Sequence, residues 1–218
     1  GAVANQNLHG LEQTDMLIVA HPRLMDQAKA LANFHQQEDG IQSHVVTPQA
    51  IYNEFSSGKQ DVTAIRWFAK MFYDRADNRS EQPDHLLLFG DASYDYKDRV
   101  NDNTNLVPTY EARDISDPGS TVTDDYYGYL DDNEGRISQG NALLDINIGR
   151  IPVNTSQQAE QIVAKIKRYY NSRERYGSWQ NTLTFIADDM EEGWEERFVK
   201  DSEAIIRRLN KEAPAYNV

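Results

Sequence analysis

Short apolar runs alternate with longer segments whose apolar residues recur every three or four positions, and this alternation organises the chain. Met16 to Ala20 is a continuous apolar run closed by His21-Pro22, the pattern of a strand buried on both faces. Leu24, Ala28, Leu31 and Ala32 then recur at helical spacing, with Gly40 placed to end the helix. Ser43 to Thr47, around Val45-Val46, predicts a second strand. After Pro48, Ile51 and Phe55 mark a short helix broken at Ser56-Ser57-Gly58. Asp61 caps a better helix that carries Ile65, Phe68 and Phe72 on one side. His85 to Phe89 predicts the third strand, ended by Gly90-Asp91.

From Asp91 to about Leu143 the period is lost, and Pro108, Pro118, Gly119, Gly128, Gly135 and Gly140 punctuate a long excursion. Loops of that length inside a compact domain are usually functional. Two short strands are expected within it as a hairpin, at Tyr126 to Leu130 and at Leu143 to Ile148. Thr155 with Gln158 forms a capping box ahead of a stripe of Ala159, Ile162, Val163, Ile166 and Tyr170. Thr182 to Ala187 predicts another buried strand, Phe198, Ile205, Ile206 and Leu209 a last helix, and Ala215 to Val218 the approach to one more strand. Together these elements predict a three-layer α/β fold: a parallel sheet with helices on both faces.

The 218 residues suit a single domain, assigned to 14–218, with 1–13 as an edge or linker. A net charge of −13 with no basic stripe argues against a nucleic-acid partner. No apolar run approaches the roughly 20 residues that span a bilayer, so the piece is expected to be soluble, without membrane insertion. With no cysteine, these residues hold no disulfide, thiolate metal site or cysteine nucleophile.

Ligands of open α/β sheets bind beyond the carboxyl ends of the strands, which nominates His21, Asp91 and the pair Asp188-Asp189. There is no G-x-G-x-x-G and no lysine-bearing phosphate loop, and Gly90-Asp91-Ala92-Ser93-Tyr94 lacks the second glycine of a nucleophile elbow. The histidines at 9, 21, 35, 44 and 85 place no two on one helix face, which disfavours zinc. Plainer readings stand beside these. Asp91 and His21 can be turn residues, and Asp188-Asp189 can cap the next helix, with Glu191, Glu192, Glu195 and Glu196 as a solvated face. The tyrosines at 126 to 129 can be strand packing. Asp131-Asp132-Asn133-Glu134-Gly135 resembles the start of a calcium loop, but Ala142 stands where the bidentate glutamate would be, and a tight turn is the simpler account.

Five ordered blocks carry more than any single residue: HLLLFGDASYDYKDR (85–99), VPTYEA (107–112), TDDYYGYLDD (123–132), INIGRIPV (146–153) and WQNTLTFIADD (179–189). From about residue 14 onward the chain resembles the gingipain family of cysteine peptidases, and within it the branch that serves as sortase of the type IX (Por) secretion system. The resemblance implies a caspase-like fold of which this is the first subdomain. It also implies that the catalytic histidine and cysteine lie on a remaining part of the catalytic domain, so this stretch alone would be inactive. Thr123-Asp124 matches the family motif T-D-x-x-Y, whose aspartate either orients the catalytic histidine or lines a pocket for a basic side chain; Asp125 is its weaker neighbour. Asp91 matches the family's Gly-Asp after the third strand as a supporting group, and Glu111 is a second candidate carboxylate. Calcium in gingipain relatives implies an ion near Asp131, Asp132, Asn133 and Glu134. The implied substrates are peptides or proteins, at the cell surface or outer membrane of a bacterium or secreted. Two rival classes are a non-catalytic, calcium-stabilised binding or scaffold domain and a glycosidase using two of the clustered acids. The latter needs carboxyls roughly 5 to 10 Å apart, which no spacing here favours.

Overall fold

The computed structural model describes residues 5–112, 121–134, 143–172, 176–187 and 192–217. Its strands are β1 (Met16–Ala20), β2 (Ser43–Val46), β3 (His85–Phe89), β4 (Tyr110–Ala112), β5 (Thr121–Thr123) and β6 (Asn147–Ile151). Its helices are α1 (Met25–Glu38), α2 (Pro48–Phe55), α3 (Val62–Arg75), α4 (Ser156–Asn171) and α5 (Glu196–Glu212). The chain divides into two compact units, Gly1–Lys165 and Ile166–Val218.

In the first unit β2, β1, β3 and β6 form, in that order, a parallel sheet in which Phe89 lies beside both Ala20 and Ile151. Alternate strand residues face opposite sides. Leu17, Val19, Leu86 and Leu88 join Ile51 of α2 and Ile65, Phe68 and Phe72 of α3 in one buried cluster. Ile18, Ala20 and Phe89 are equally buried outside that cluster, as are Ala28, Leu31 and Phe34 of α1 and Ala159 and Val163 of α4. Helices therefore cover both faces, as the apolar runs require. Local signals also hold: Asp61 accepts from the Thr63 amide at 2.8 Å, and Thr155 and Gln158 bond reciprocally at 3.2 Å.

The excursion folds differently from the expected hairpin. Asp125–Gly128 is a turn of 3-10 helix, and β6 begins later than expected and pairs in parallel with β3. Tyr126 and Tyr127 are consecutive and both buried, which a strand with alternating faces cannot provide. Tyr126 stacks on Tyr110 with ring centroids 4.0 Å apart, while the Tyr127 hydroxyl donates to the Pro108 carbonyl at 2.6 Å. The antiparallel pair is instead β4 with β5.

Residues 6–13, expected as an edge or linker, lie fastened to α2 and α3. Leu8 is buried, Arg75 donates to the carbonyls of His9 and Leu11, and the Glu54 carboxylate accepts from the amides of Leu8 and His9 and from the His9 ring. Burial would raise the Glu54 pKa, but these bonds and one from Gln6 outweigh it and hold the group at about 2. A depressed carboxylate stabilises the fold fully above its unfolded pKa near 4.5, and the contribution fades as pH falls toward 2. Glu54→Gln should therefore lower the melting temperature at pH 7 and flatten its fall between pH 4.5 and 2, checked by calorimetry across that range.

In the second unit the strand expected at 182–187 is not built. Thr182 makes one parallel bridge with Asn217, and Ile186 is 91% exposed. An apolar run becomes a buried strand only when neighbours take up its backbone groups, and no ladder does so among the described residues. Helix α5 forms as its periodicity predicts, with i,i+4 pairs Glu196–Lys200 and Glu203–Arg207, but Phe198 and Ile205 on its apolar stripe stay about half exposed.

Candidate functional site

The carboxyl end of β3 is where the excursion attaches to the sheet. Gly90 has φ +148, and a Cβ there would meet Leu106 and Val107 at 3.1 Å, so the sharp exit needs glycine. The amides of Gly90 and Asp91 donate to Ile151 and Val153, and the Asp91 carbonyl accepts from the amides of Leu106 and Val107. The loop from 91 to 107 thus begins and ends on one peptide. Buried Asp95 organises its interior by accepting from the amides of Arg99 and Val100, while Asn103 bonds the Asp95 carbonyl at 2.6 Å. Tyr94 and Tyr96 are left pointing outward.

Arg150 enters this rim from β6. Its Nε and Nη2 grip the two Asp124 oxygens at 2.7 Å each, its Nη1 donates to the carbonyls of Gly90 and Val107 at 2.8 Å, and Nη2 reaches the Pro108 carbonyl at 3.3 Å. All five guanidinium protons are therefore used. The clamp joins the tip of β3, the segment before β4 and the turn after β5, and it sets Asp124 on the strand-tip side of the sheet.

Two hollows flank Thr109. One, of about 300 Å³, is bordered by Ser93, Thr123, Asp124 and Arg150. The other, of about 320 Å³, is bordered by Asp61, Tyr96, Tyr110 and Glu111. Burial raises the Glu111 pKa, and its carboxylate bonds no described residue. Asp91 is half-buried at the strand tip with its carboxylate likewise unpartnered among the described residues. Asp125 bonds the Thr123 hydroxyl through its amide and continues the turn. His21 accepts from the Arg23 amide through Nδ1, and burial, aided by Arg23, lowers its pKa, so it is a neutral turn histidine. The pair Asp188-Asp189 lies outside the described residues.

The turn at Asp131 to Glu134, suggested above for a calcium ion, is braced by two cations from α3. Arg66 of α3 donates to the carbonyls of Tyr129, Asp131 and Glu134, and Lys70 donates to the Leu130 carbonyl at 2.6 Å and pairs with Asp74 and Asp132. Burial opposes the Lys70 charge, but its bonds to Asp74 and Asp132 outweigh this and raise its pKa. These two cations hold carbonyl oxygens of the turn and the Asp132 carboxylate, and their charge would oppose a divalent ion. Asn133 is exposed, and among the described residues no three carboxylates or imidazoles converge as metal ligands.

Sequence reasoning missed Arg150, Asp95, Arg66 and Lys70. Each is a charged or strongly polar residue buried or nearly so, and such a residue must be paired. The usable signal was an arginine inside the apolar run of INIGRIPV and two cations on the core side of α3.

The profile of peptidase family C25 matches residues 9–218. This chain belongs to peptidase family C25. The family is that of the gingipains, as the five sequence blocks suggest. Dimeric latent PorU from Porphyromonas gingivalis is a similar solved structure, with TM-score 0.71 and 38% identity over 83% of this chain and 18% of that one. A second structure, described as a protease, has TM-score 0.56 and 18% identity over 81% of this chain and 32% of that one, and shows likeness of fold alone. No curated protein matches. The C25 chain described here thus spans less than a third of either solved relative. Its α/β sheet with flanking helices is the fold expected for the family.

Proposed function

We propose that the intact protein carrying this chain is a cysteine peptidase of sortase type, which removes carboxy-terminal signals from secreted proteins at a bacterial cell surface. Membership of family C25 and the 38% identity to PorU support the reading. No described helix is long and apolar enough to cross a membrane. The observation that carries this chain's part in the reaction is the placing of Glu111 and the Asp124–Arg150 clamp in two hollows on either side of Thr109. These residues contain no cysteine, so in this reading the thiolate that attacks the peptide carbonyl comes from another part of the protein, and the family resemblance implies that the histidine that moves its proton does too.

Each oxygen of Asp124 receives one arginine proton, which leaves a lone pair on each for an imidazole N–H. Asp124 is thus a fixed positioning carboxylate that can hold a neutral histidine in one tautomer. Glu111, without a partner among the described residues and raised in pKa by burial, and Asp91 at the strand tip are the supporting carboxylates. A peptide-cleavage assay of the intact protein tests the assignment. Asp124→Asn should lower kcat by about 100-fold or more and shift the acid limb of the kcat/KM profile, as loss of a histidine's orienting partner does. Unchanged turnover and an unmoved pH profile would remove Asp124 from the mechanism. No turnover by the wild type on any secreted-protein tail would favour a non-catalytic scaffold.

A further inference from the structure

Among its described lining the hollow beside Asp124 holds one carboxylate, and that carboxylate is paired. Asp124 is matched by Arg150 through two bonds of 2.7 Å, and the arginine's other protons are spent on carbonyls of Gly90, Val107 and Pro108. Among the described residues the remaining lining, including Ala92, Ser93, Thr109, Val122 and Thr123, carries no charge. A lysine or arginine side chain entering here would lose water and find a carboxylate whose charge is already compensated.

The hydroxyls of the hollow are biased in the opposite sense. Ser93 Oγ accepts from the Asp95 amide and Thr123 Oγ1 from the Asp125 amide, both at 3.1 Å. Neither hydroxyl donates to a described residue, so each has its proton to offer. The wall therefore presents donors to whatever fills about 300 Å³.

We infer that this hollow is a substrate subsite for an uncharged, hydrogen-bond-accepting side chain such as Asn or Gln, and that Arg150 sets the preference by neutralising Asp124. The inference rests on the peptidase reading above and names its substrate class. Arg150 acts through Asp124 and is a specificity-setting residue that need not touch the substrate. Without it, the same hollow would hold one uncompensated carboxylate and select a basic side chain.

The test uses the intact protein and quenched-fluorescent peptides, scanned residue by residue around the scissile bond with Asn, Gln, Lys and Arg. At one position Asn and Gln should exceed Lys and Arg by at least about tenfold in kcat/KM, the size of one desolvated, unpaired charge. Arg150→Gln should reverse that ratio at the same position by about tenfold or more. A double variant, Asp124→Asn with Arg150→Gln, removes both charges and should keep the exclusion of Lys and Arg even where the single variant folds poorly. Preference for Lys or Arg in the wild type, lost on Asp124→Asn, would overturn the inference while leaving the peptidase reading intact. Equal rates at every scanned position would do the same. Cleavage of no peptide would overturn both together.

Discussion

Replacing Arg150 with methionine should lower the free energy of unfolding by about 3 kcal/mol, the lower end of what breaking a buried ion pair costs. The lower end is apt because the side chains of Arg150 and Asp124 remain 14% and 21% exposed, and water softens the loss. Methionine keeps the volume and removes five donors at once. It strands a carboxylate and the carbonyls of Gly90, Val107 and Pro108. Asp124→Asn should cost less, about 1–2 kcal/mol, since an amide oxygen still accepts one arginine proton. Urea unfolding of both variants would read the difference. An Arg150→Met loss below that of Asp124→Asn would mean that the clamp does not hold the rim together.

How much of this was legible in the sequence depends on whether a feature is local. The buried runs MLIVA and HLLLF, the cap at Asp61 and the capping box at Thr155 each specify their element from neighbours a few positions away, and each formed where expected. The failures needed information from far along the chain. The segment around Tyr126 has the composition of a strand, yet its shape is decided by Tyr110 and Pro108, sixteen and eighteen residues earlier. TLTFIA has the composition of a buried strand, and composition cannot say whether a partner strand lies alongside. At the site, the sequence blocks nominated Asp124, but its electrostatic state belongs to Arg150, 26 positions on. The candidate acids look alike in the sequence; only the pairing shows that Asp124 is compensated and that Glu111 and Asp91 have no partner among the described residues.

The same lesson gives the second large effect, at the turn from Tyr129 to Glu134. Arg66 should be the residue that holds this turn, and Arg66→Met should destabilise the protein by about 2–4 kcal/mol. Three carbonyls would lose their donor, each buried one costing roughly 1–3 kcal/mol, with water relieving part of the loss where Asp131 and Asp132 face outward. Lys70→Met should cost less, about 1–2 kcal/mol, because only the Leu130 carbonyl is left dry while Asp74 and Asp132 return to solvent. The two cations brace the same short turn, so their losses should not add. A double-mutant cycle should show coupling of about 0.5 kcal/mol or more, since once one brace is gone the turn is already loosened for the other. If these cations alone hold the turn, added calcium or a chelator should leave its stability unchanged in the wild type. A melting temperature that falls on chelation would place a metal among these oxygens and would require Arg66 or Lys70 to swing away from the carbonyls they now hold.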